Sequence, residues 1–138
     1  MEHTDSDLRR LLDTSQTIAM VGASSNPAKP SHEIMKGLLA AGFTVIPVNP
    51  AETEVLGQPA YGTLEEIPAP VDIVNVFRRP EQTPEIADTA VKIGAKALWL
   101  QTGIVSEEAE RRAVAGGLAV VMDRCIGGTV ARLRVKKR

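Results

Sequence analysis

The chain has 138 residues, 43% of them hydrophobic and 24% charged, and its formal net charge is −1 at pH 7. A chain of this length and composition forms its own core, so we expect one domain over residues 1–138. The near-zero charge gives no reason to expect a nucleic-acid partner. Cys125 is the only cysteine, which excludes an internal disulfide and favours a reducing, cytoplasmic location. No stretch is typical of a secretory leader or a membrane span.

The predicted elements alternate between strands and helices along the chain. Five short apolar runs predict buried strands at residues 17–23, 43–48, 71–77, 95–101 and 118–123. Apolar residues at helical spacing predict helices at residues 5–16, 32–42, 80–94, 107–117 and 128–138. The segment between the second and third strands is less regular. It predicts a short strand near Val55 or Ala60 and a helical turn over residues 64–67.

Several residues at the helix boundaries are typical of caps. Asp5, Ser31 and Ser106 stand at helix starts and are expected to accept hydrogen bonds from N–H groups of the first turn. Gly42 is expected to end the second helix. The basic residues at the end of the chain are expected to form a solvated helix end; they are Arg132, Arg134, Lys136, Lys137 and Arg138.

Alternating strands and helices predict an α/β fold, namely a three-layer, Rossmann-like, doubly wound parallel sheet. Such sheets bind ligands beyond the carboxyl ends of their strands, where the strand order reverses. The candidate binding residues are therefore those that follow the strands, at residues 22–31, 49–50, 77–80, 101–103 and 123–125.

The loop after the first strand departs from the dinucleotide fingerprint of three glycines. Gly22 is in place, but Ser24 and Pro27 stand where the second and third glycines belong. The second strand ends in Asn49 and Pro50 instead of the acidic residue that holds a ribose diol. Both features argue against NAD or NADP, although an NAD(P)-dependent oxidoreductase stays open as an alternative.

The same edge of the sheet is rich in donors for phosphate. Ser24, Ser25 and Ser31 offer hydroxyl groups, and the N-terminus of the second helix adds partial positive charge. Lys29, Arg78 and Arg79 contribute full charges, with Arg79 the weaker candidate. Each arginine alone is more simply a surface charge, but together these groups favour a polyanionic nucleotide.

Five stretches carry a resemblance to a known family: VGASSNPAKPSHEIMKGLLAAGFTVIPVNP, EVLGQPAYGTLEEIP, DIVNVFRRPE, GAKALWLQTGI and VVMDRC. Together they resemble the small, stand-alone bacterial CoA-binding domains. That family is similar to the N-terminal domain of the succinyl-CoA synthetase α-subunit and of acyl-CoA synthetases that form a nucleoside diphosphate. The resemblance covers about residues 7–125 and implies a Rossmann-like domain that binds coenzyme A instead of NAD.

The resemblance also implies roles for individual residues. The loop around the pyrophosphate would comprise Gly22, Ala23, Ser24 and Ser25, with Lys29 and Ser31 nearby. Asn49 and Pro50 would border the adenosine. The adenine and phosphate side would be lined by Val76, Phe77 and Arg78. The pantetheine arm would pass Gln101, Thr102 and Gly103.

The resemblance supports ligand binding more strongly than it supports catalysis. The synthetases place their phosphorylated histidine in a second domain, whereas the histidines here are His3, in the N-terminal tail, and His32, at a helix start. The sequence shows no P-loop, metal-ligand cluster or nucleophile motif. We therefore expect non-catalytic binding of coenzyme A or acyl-CoA. The alternatives are a ligase subunit that needs a separate catalytic partner and a protein-interaction domain that has lost the ligand.

Cys125 follows the last predicted strand, at the ligand edge of the sheet. A solitary cysteine is most simply a small buried hydrophobe, which is what we expect here. The alternative is a reactive thiol that forms a mixed disulfide with coenzyme A.

Overall fold

The computed structural model describes residues 3–137, which fold around a central parallel sheet. The strands found within that range are β1 (Thr17–Val21), β2 (Thr44–Val48), β3 (Glu54–Val55), β4 (Gln58–Pro59), β5 (Ile73–Val76), β6 (Ala97–Leu100) and β7 (Ala119–Val121). Five of them form one parallel sheet in the order β2–β1–β5–β6–β7, and β3 and β4 form a separate antiparallel hairpin. The predicted doubly wound α/β fold is confirmed.

Helices cover both faces of the sheet. They are α1 (Asp5–Asp13), α2 (Pro30–Ala40), α3 (Thr83–Lys92), α4 (Glu107–Ala115) and α5 (Ile126–Arg132), with 3₁₀ turns at Leu64–Glu66 and Pro80–Gln82. Helices α1, α2 and α5 pack on one face and α3 and α4 on the other. No helix within residues 3–137 is long and apolar enough to cross a bilayer.

The strands are apolar throughout because both of their faces are buried. Ile18 and Met20 of β1 pack toward the α1, α2 and α5 layer, and Ala19 and Val21 pack toward α3 and α4. Side chains alternate in the same way along β5 and β6. Continuous apolar runs of this kind are typical of parallel strands, which explains why all five main strands could be predicted. Each lies within its predicted bounds and is shorter.

The strand order reverses between β1 and β5, and the two strands approach closely at their carboxyl ends. The Phe77 N–H donates to the Val21 carbonyl at 2.8 Å, and the Gly22 N–H donates to the Val48 carbonyl at 2.9 Å. Gly22 has a φ of 95°, and a Cβ there would lie 2.7 Å from the Phe77 carbonyl oxygen. Only glycine fits this position, so the first loop leaves the sheet directly against the end of β5.

The first two helices are capped by other residues than the sequence predicts. Thr4, not Asp5, caps α1: its hydroxyl accepts from the Asp7 N–H at 3.1 Å, and the Asp7 carboxylate accepts from the Thr4 N–H at 3.0 Å. This reciprocal capping box needs an acceptor three residues along, which Asp7 supplies. Asp5 is the first helical residue and pairs with Arg132 at 2.8 Å.

Helix α2 begins two residues earlier than predicted, and the expected cap at Ser31 is wrong. Lys29 is the N-cap, Pro30 is the first helical residue, and Ser31 is buried inside the first turn. Proline suits that first position because it needs no N–H partner there. The other two boundary predictions are confirmed: Gly42 ends α2 with a φ of 96°, and the Ser106 hydroxyl accepts from the Ala109 N–H at 3.1 Å.

The last helix is shorter than the predicted 128–138 and starts two residues earlier. It ends at Arg132, and Arg134 adopts a φ of 56° that turns the chain back. The Lys137 N–H then donates to the Ala41 carbonyl at 2.7 Å, and its ammonium donates to the Leu12 carbonyl at 3.0 Å. The prediction of a solvated helix end is therefore wrong for Lys137; Arg138 lies outside the described residues.

Candidate functional site

Two cavities open at the carboxyl edge of the sheet, one on each face. The first has a volume of about 490 Å³ and lies between the ends of β1 and β2 and the face of α3. Its floor is apolar, formed by Val21, Val48 and Ile86, and its polar wall includes Thr63 and Gln82. An apolar floor with a few polar groups at the rim is typical of sites for small organic ligands.

The second cavity also has a volume of about 490 Å³ and lies toward α2 and α5. Ile34 and Phe77 give it an apolar wall, and Gln101, Thr102 and Cys125 add polar groups. Arg78 lines both cavities. Since Arg78 lies two residues beyond the end of β5, at the reversal of strand order, one guanidinium borders both halves of the site.

The loop after β1, residues 22–29, connects Val21, which lines the first cavity, to Pro30, which lines the second, and is held by its own side chains. The Asn26 side chain accepts from the Ala28 N–H at 2.9 Å, and the Ser24 hydroxyl accepts from the Asn26 N–H at 3.0 Å. Within residues 3–137 the N–H groups of Ala23 and Ser24 donate no hydrogen bond. Lys29 is exposed and has no ion pair in that range. The loop therefore offers unused donors and one cation to an anion.

Asn49 braces this loop against the end of β2. Its amide nitrogen donates to the Ala23 carbonyl at 2.9 Å, and its side-chain oxygen accepts from the Ala51 N–H at 2.9 Å. His32 lies on the other side of the loop, with Nδ1 at 3.0 Å from the Ser24 carbonyl oxygen. Both side chains therefore fix the shape of the loop.

Glu52 is a residue of this site that the sequence analysis missed. Its carboxylate accepts from the Ser25 N–H at 2.9 Å and from the Ser25 hydroxyl at 3.0 Å. The Ser25 backbone and hydroxyl donors lower the pKa of Glu52. The residue lies beyond the predicted strand end, and only the path of the chain after Pro50 brings it back to the loop. An acidic residue soon after the second strand is the one signal that could have found it.

Gln101 is buried at the base of the second cavity, with only 4% of its surface exposed. Its Oε1 accepts from the Ile126 N–H at 2.9 Å and from the Asn75 side-chain amide at 3.0 Å. The backbone donor fixes which end of the amide is oxygen, because an N–H cannot donate to a nitrogen that itself donates. The Gln101 Nε2 group has no partner within residues 3–137.

Cys125 does not fit the expectation of a small buried hydrophobe. It is partly exposed, lines the second cavity and is the N-cap of α5. Its Sγ accepts from the Gly128 N–H at 3.3 Å. The expectation failed because the chain bends at Asp123, which has a φ of 54°, and so leaves Cys125 at the cavity wall. The Arg124 carbonyl in between accepts from the Trp99 indole at 2.9 Å.

The structure distributes the predicted site residues over four settings. Five line a cavity: Pro50, Phe77, Arg78, Gln101 and Thr102. Five form or end the first loop: Gly22, Ala23, Ser24, Ser25 and Lys29. Two are buried beneath the site, Ser31 and Val76, and two are held at strand ends, Asn49 and Gly103, the latter donating to Asp123. Their contacts with a ligand stay predictions. The α3 side of the first cavity, including Gln82 and Ile86, was not predicted.

Comparisons with known proteins identify relatives of this chain. A sequence profile of the family described as CoA binding domain matches residues 16–130. The chain is 43% identical over 120 residues to the uncharacterized protein YneT of Bacillus subtilis, covering 87% of this chain and 89% of that protein. It is 31% identical over 121 residues to the alpha subunit of the ADP-forming acetate–CoA ligase II of Pyrococcus furiosus, covering 80% of this chain and 26% of that subunit.

The fold is also shared with a solved structure. A hypothetical protein from Pyrococcus horikoshii OT3 superposes with a TM-score of 0.92 at 38% identity, and the match covers 97% of this chain and 99% of that chain. The chain spans about a quarter of the ligase subunit, and it matches nearly the full length of the other two proteins. The profile match includes the first loop and both cavities, so the chain belongs to the family of CoA binding domains.

Proposed function

We propose that this protein binds coenzyme A or acyl-CoA across its two cavities and performs no chemistry on it alone. The observation that carries the proposal is the pair of cavities that share Arg78 beside a loop with unused N–H donors. Coenzyme A has a matching layout, with an adenosine arm and a pantetheine arm joined by a pyrophosphate. The family membership supports the same ligand.

The chemistry of the first cavity suits an adenosine. Val21, Val48 and Ile86 offer an apolar floor to the base, and Thr63 and Gln82 offer hydrogen bonds to the ribose. Pro50 lines this cavity, as expected for a residue that borders adenosine. An anionic group at the open side would meet Arg78, whose guanidinium suits phosphate oxygens.

The second cavity suits the pantetheine arm. Its walls combine the apolar side chains of Ile34, Phe77 and Ile104 with the amide of Gln101. The arm itself alternates apolar segments with amide groups, so it needs both kinds of contact. The loop that carries the unused donors of Ala23 and Ser24 joins Val21 in the first cavity to Pro30 in the second, so we expect the pyrophosphate to bind there.

A ligase subunit that needs a separate catalytic partner is the second candidate. It is favoured by the match to the acetate–CoA ligase subunit, of which this chain spans 26%. Under the main proposal the protein acts as one domain, in the cytoplasm, with coenzyme A as its partner. Acyl-CoA, ADP and phosphate are offered to the protein with and without the catalytic subunit of an ADP-forming ligase. A ligase subunit should give ATP only in the mixture, and no ATP in either case would refute this second candidate.

Calorimetric titration with coenzyme A, dephospho-CoA and NAD tests the proposal. We expect coenzyme A to bind more tightly than the other two, because they lack the 3′-phosphate. Arg78→Ala should weaken coenzyme A binding by about 1–3 kcal/mol, the range for a charge-assisted hydrogen bond. Arg79→Ala is the matched control: Arg79 is exposed and lines neither cavity, so binding should not change. Preference for NAD, or no binding of coenzyme A, would refute the proposal.

A further inference from the structure

The second cavity contains a thiol that the proposed binding function does not use. Cys125 is partly exposed there, and the Gly128 N–H at 3.3 Å holds its Sγ in a fixed position. Within residues 3–137 no other cysteine is present, so this thiol has no disulfide partner in the chain. A solvent-accessible thiol with no internal partner can exchange with a disulfide brought to it.

A second observation places a ligand beside this thiol. Gln101 lines the same cavity, and both acceptor positions of its Oε1 are filled by Ile126 and Asn75. The two N–H donors of its Nε2 group have no partner within residues 3–137, although only 4% of the residue's surface is exposed. Nε2 is not one of the fully buried unpaired atoms of residues 3–137, so it faces the open cavity and is available to an acceptor that binds there.

The chemistry of that acceptor follows from the donor. A neutral amide N–H group pairs with a carbonyl oxygen without needing a charge. Arg78 is the one charged residue that residues 3–137 contribute to the lining. The apolar neighbours Ile34, Phe77 and Ile104 disfavour a charged ligand group beside Gln101. An uncharged, amide-bearing chain therefore fits the cavity. If the proposed function is right, that chain is the pantetheine arm, whose end carries sulfur and would reach the wall formed by Cys125.

We propose that Cys125 undergoes thiol–disulfide exchange with a coenzyme A disulfide held in the two cavities. The Cys125 thiolate attacks one sulfur of the ligand, a new S–S bond joins Cys125 to one coenzyme A, and the old S–S bond breaks. The second coenzyme A leaves as a thiolate and takes a proton from water, which balances the proton that Cys125 lost. The Cys125 sulfur is oxidised and the leaving sulfur is reduced, so the coenzyme A disulfide is the oxidant.

Intact-mass analysis with peptide mapping tests this step, which rests on the proposed function. The protein is mixed with micromolar coenzyme A disulfide or with the same concentration of oxidised glutathione. We expect one coenzyme A adduct on Cys125, reversed by dithiothreitol, and formed about tenfold or more faster than the glutathione adduct, because bound ligand has a high effective concentration. Excess ADP should slow the reaction with coenzyme A disulfide and leave the glutathione reaction unchanged. Cys125→Ser should give no adduct.

The possible outcomes separate this inference from the proposed function. Equal rates with the two disulfides, or no effect of ADP, would mean that Cys125 is merely accessible, and would overturn the inference. No adduct from a protein that binds coenzyme A in the calorimeter would overturn the inference and leave the proposed function intact. No adduct together with no binding of coenzyme A would overturn both.

Discussion

The carboxylate of Glu52 holds both hydrogen-bond donors of Ser25, the N–H at 2.9 Å and the hydroxyl at 3.0 Å. Ser25 lies in the loop that we propose for the pyrophosphate. A ligand phosphate that uses these donors must displace Glu52 and would then lie near its negative charge. If the proposed function is right, Glu52 and the ligand therefore compete for the donors of Ser25.

Replacement of this carboxylate should tighten binding. We expect Glu52→Gln to raise the affinity for coenzyme A by about two- to fivefold, as for other exposed charge contacts. Calorimetry on the two proteins measures the change. Glu54→Gln is the matched control, since Glu54 is exposed on the neighbouring hairpin and lines neither cavity. A loss of affinity in Glu52→Gln would mean that Glu52 contacts the ligand favourably.

The same contact predicts a pH dependence. In the free protein the Ser25 N–H and hydroxyl lower the pKa of Glu52. A ligand that takes these donors removes their effect, so the pKa of Glu52 rises in the complex. The complex then binds more protons than the free protein between the two pKa values, and affinity increases as the pH falls through that window. The affinity gap between the wild type and Glu52→Gln should close there; a constant gap would contradict displacement.

Alanine substitutions at Gly22 and Gly94 measure how much stability depends on the close approach at the sheet edge. Both have positive φ angles, of 95° and 79°, but a Cβ at Gly22 would meet the Phe77 carbonyl oxygen at 2.7 Å, whereas a Cβ at Gly94 would meet nothing within 4 Å. Gly94→Ala should cost about 1 kcal/mol for the backbone conformation alone. Gly22→Ala should cost about 2 kcal/mol more, because the end of β5 must move. Urea denaturation gives both values, and equal costs would refute the steric argument.

Asp72 joins the amino ends of β1 and β5. Its carboxylate accepts from the Gln16 N–H at 2.8 Å and the Thr17 N–H at 2.9 Å, and lies 3.8 Å from the Lys96 ammonium. Partial burial raises the pKa of Asp72, but the Thr17 and Gln16 N–H groups and Lys96 together lower it by more. Because the folded-state pKa lies below the unfolded value, this stabilisation is present above the unfolded pKa and is lost as the pH falls through the folded pKa.

Asp72→Asn should therefore destabilise the fold at neutral pH by about 1 kcal/mol, the usual scale for a partly exposed hydrogen bond to a charged group. The difference from the wild type should shrink in acid, once the carboxyl group is protonated. Urea denaturation across the pH range measures it. Asp13→Asn serves as the control, since that exposed carboxylate has no bond within residues 3–137. A difference that persists in acid would point to a steric cause.

Lys137 anchors the returning C-terminal segment to α1 and α2. Its ammonium donates to the carbonyls of Leu12 and Asp13 and lies 5.5 Å from the centre of the Phe43 ring. Lys137→Met keeps the stem and removes these bonds, which should cost about 1–2 kcal/mol of unfolding free energy. Lys136→Met changes an exposed neighbour and should cost little. Urea denaturation measures both costs. Similar losses of unfolding free energy in the two variants would show that the contacts of Lys137 do not stabilise the fold.

The sheet could be predicted because its strands are apolar on both faces, and the predicted site residues could be chosen because parallel strands end at one edge. The end of α5 could not be predicted in this way. Positions 133 and 134 hold Leu and Arg, not the glycine or proline that usually marks a turn. The burial of Val135 beside α2 decides the path of the chain there instead. Long-range packing of this kind leaves no local signal in the sequence.

Residues at the cavities could be predicted where they lie within two positions of a strand end, as Arg78 and Gln101 do. Glu52 could not be predicted because its position depends on how the loop after β2 returns to the site. Gln82, just before α3, could not be predicted because its position depends on which face α3 turns to the sheet. Ser31 was assigned as a cap although Pro30 before it is itself a strong sign of a first helical position, so the sequence contained the correct boundary.

Trp99 gives this protein a built-in optical reporter. It is the only tryptophan in the sequence, it is fully buried, and its indole N–H donates to the carbonyl of Arg124 at 2.9 Å. Arg124 is bonded directly to Cys125, so any movement of that turn changes the hydrogen bond of the indole and with it the emission of the protein. Ligands that fill only the cavity beside Pro50 lie on the other face of the sheet and leave that bond intact. Fluorescence can therefore distinguish occupancy of the second cavity from occupancy of the first without any added label.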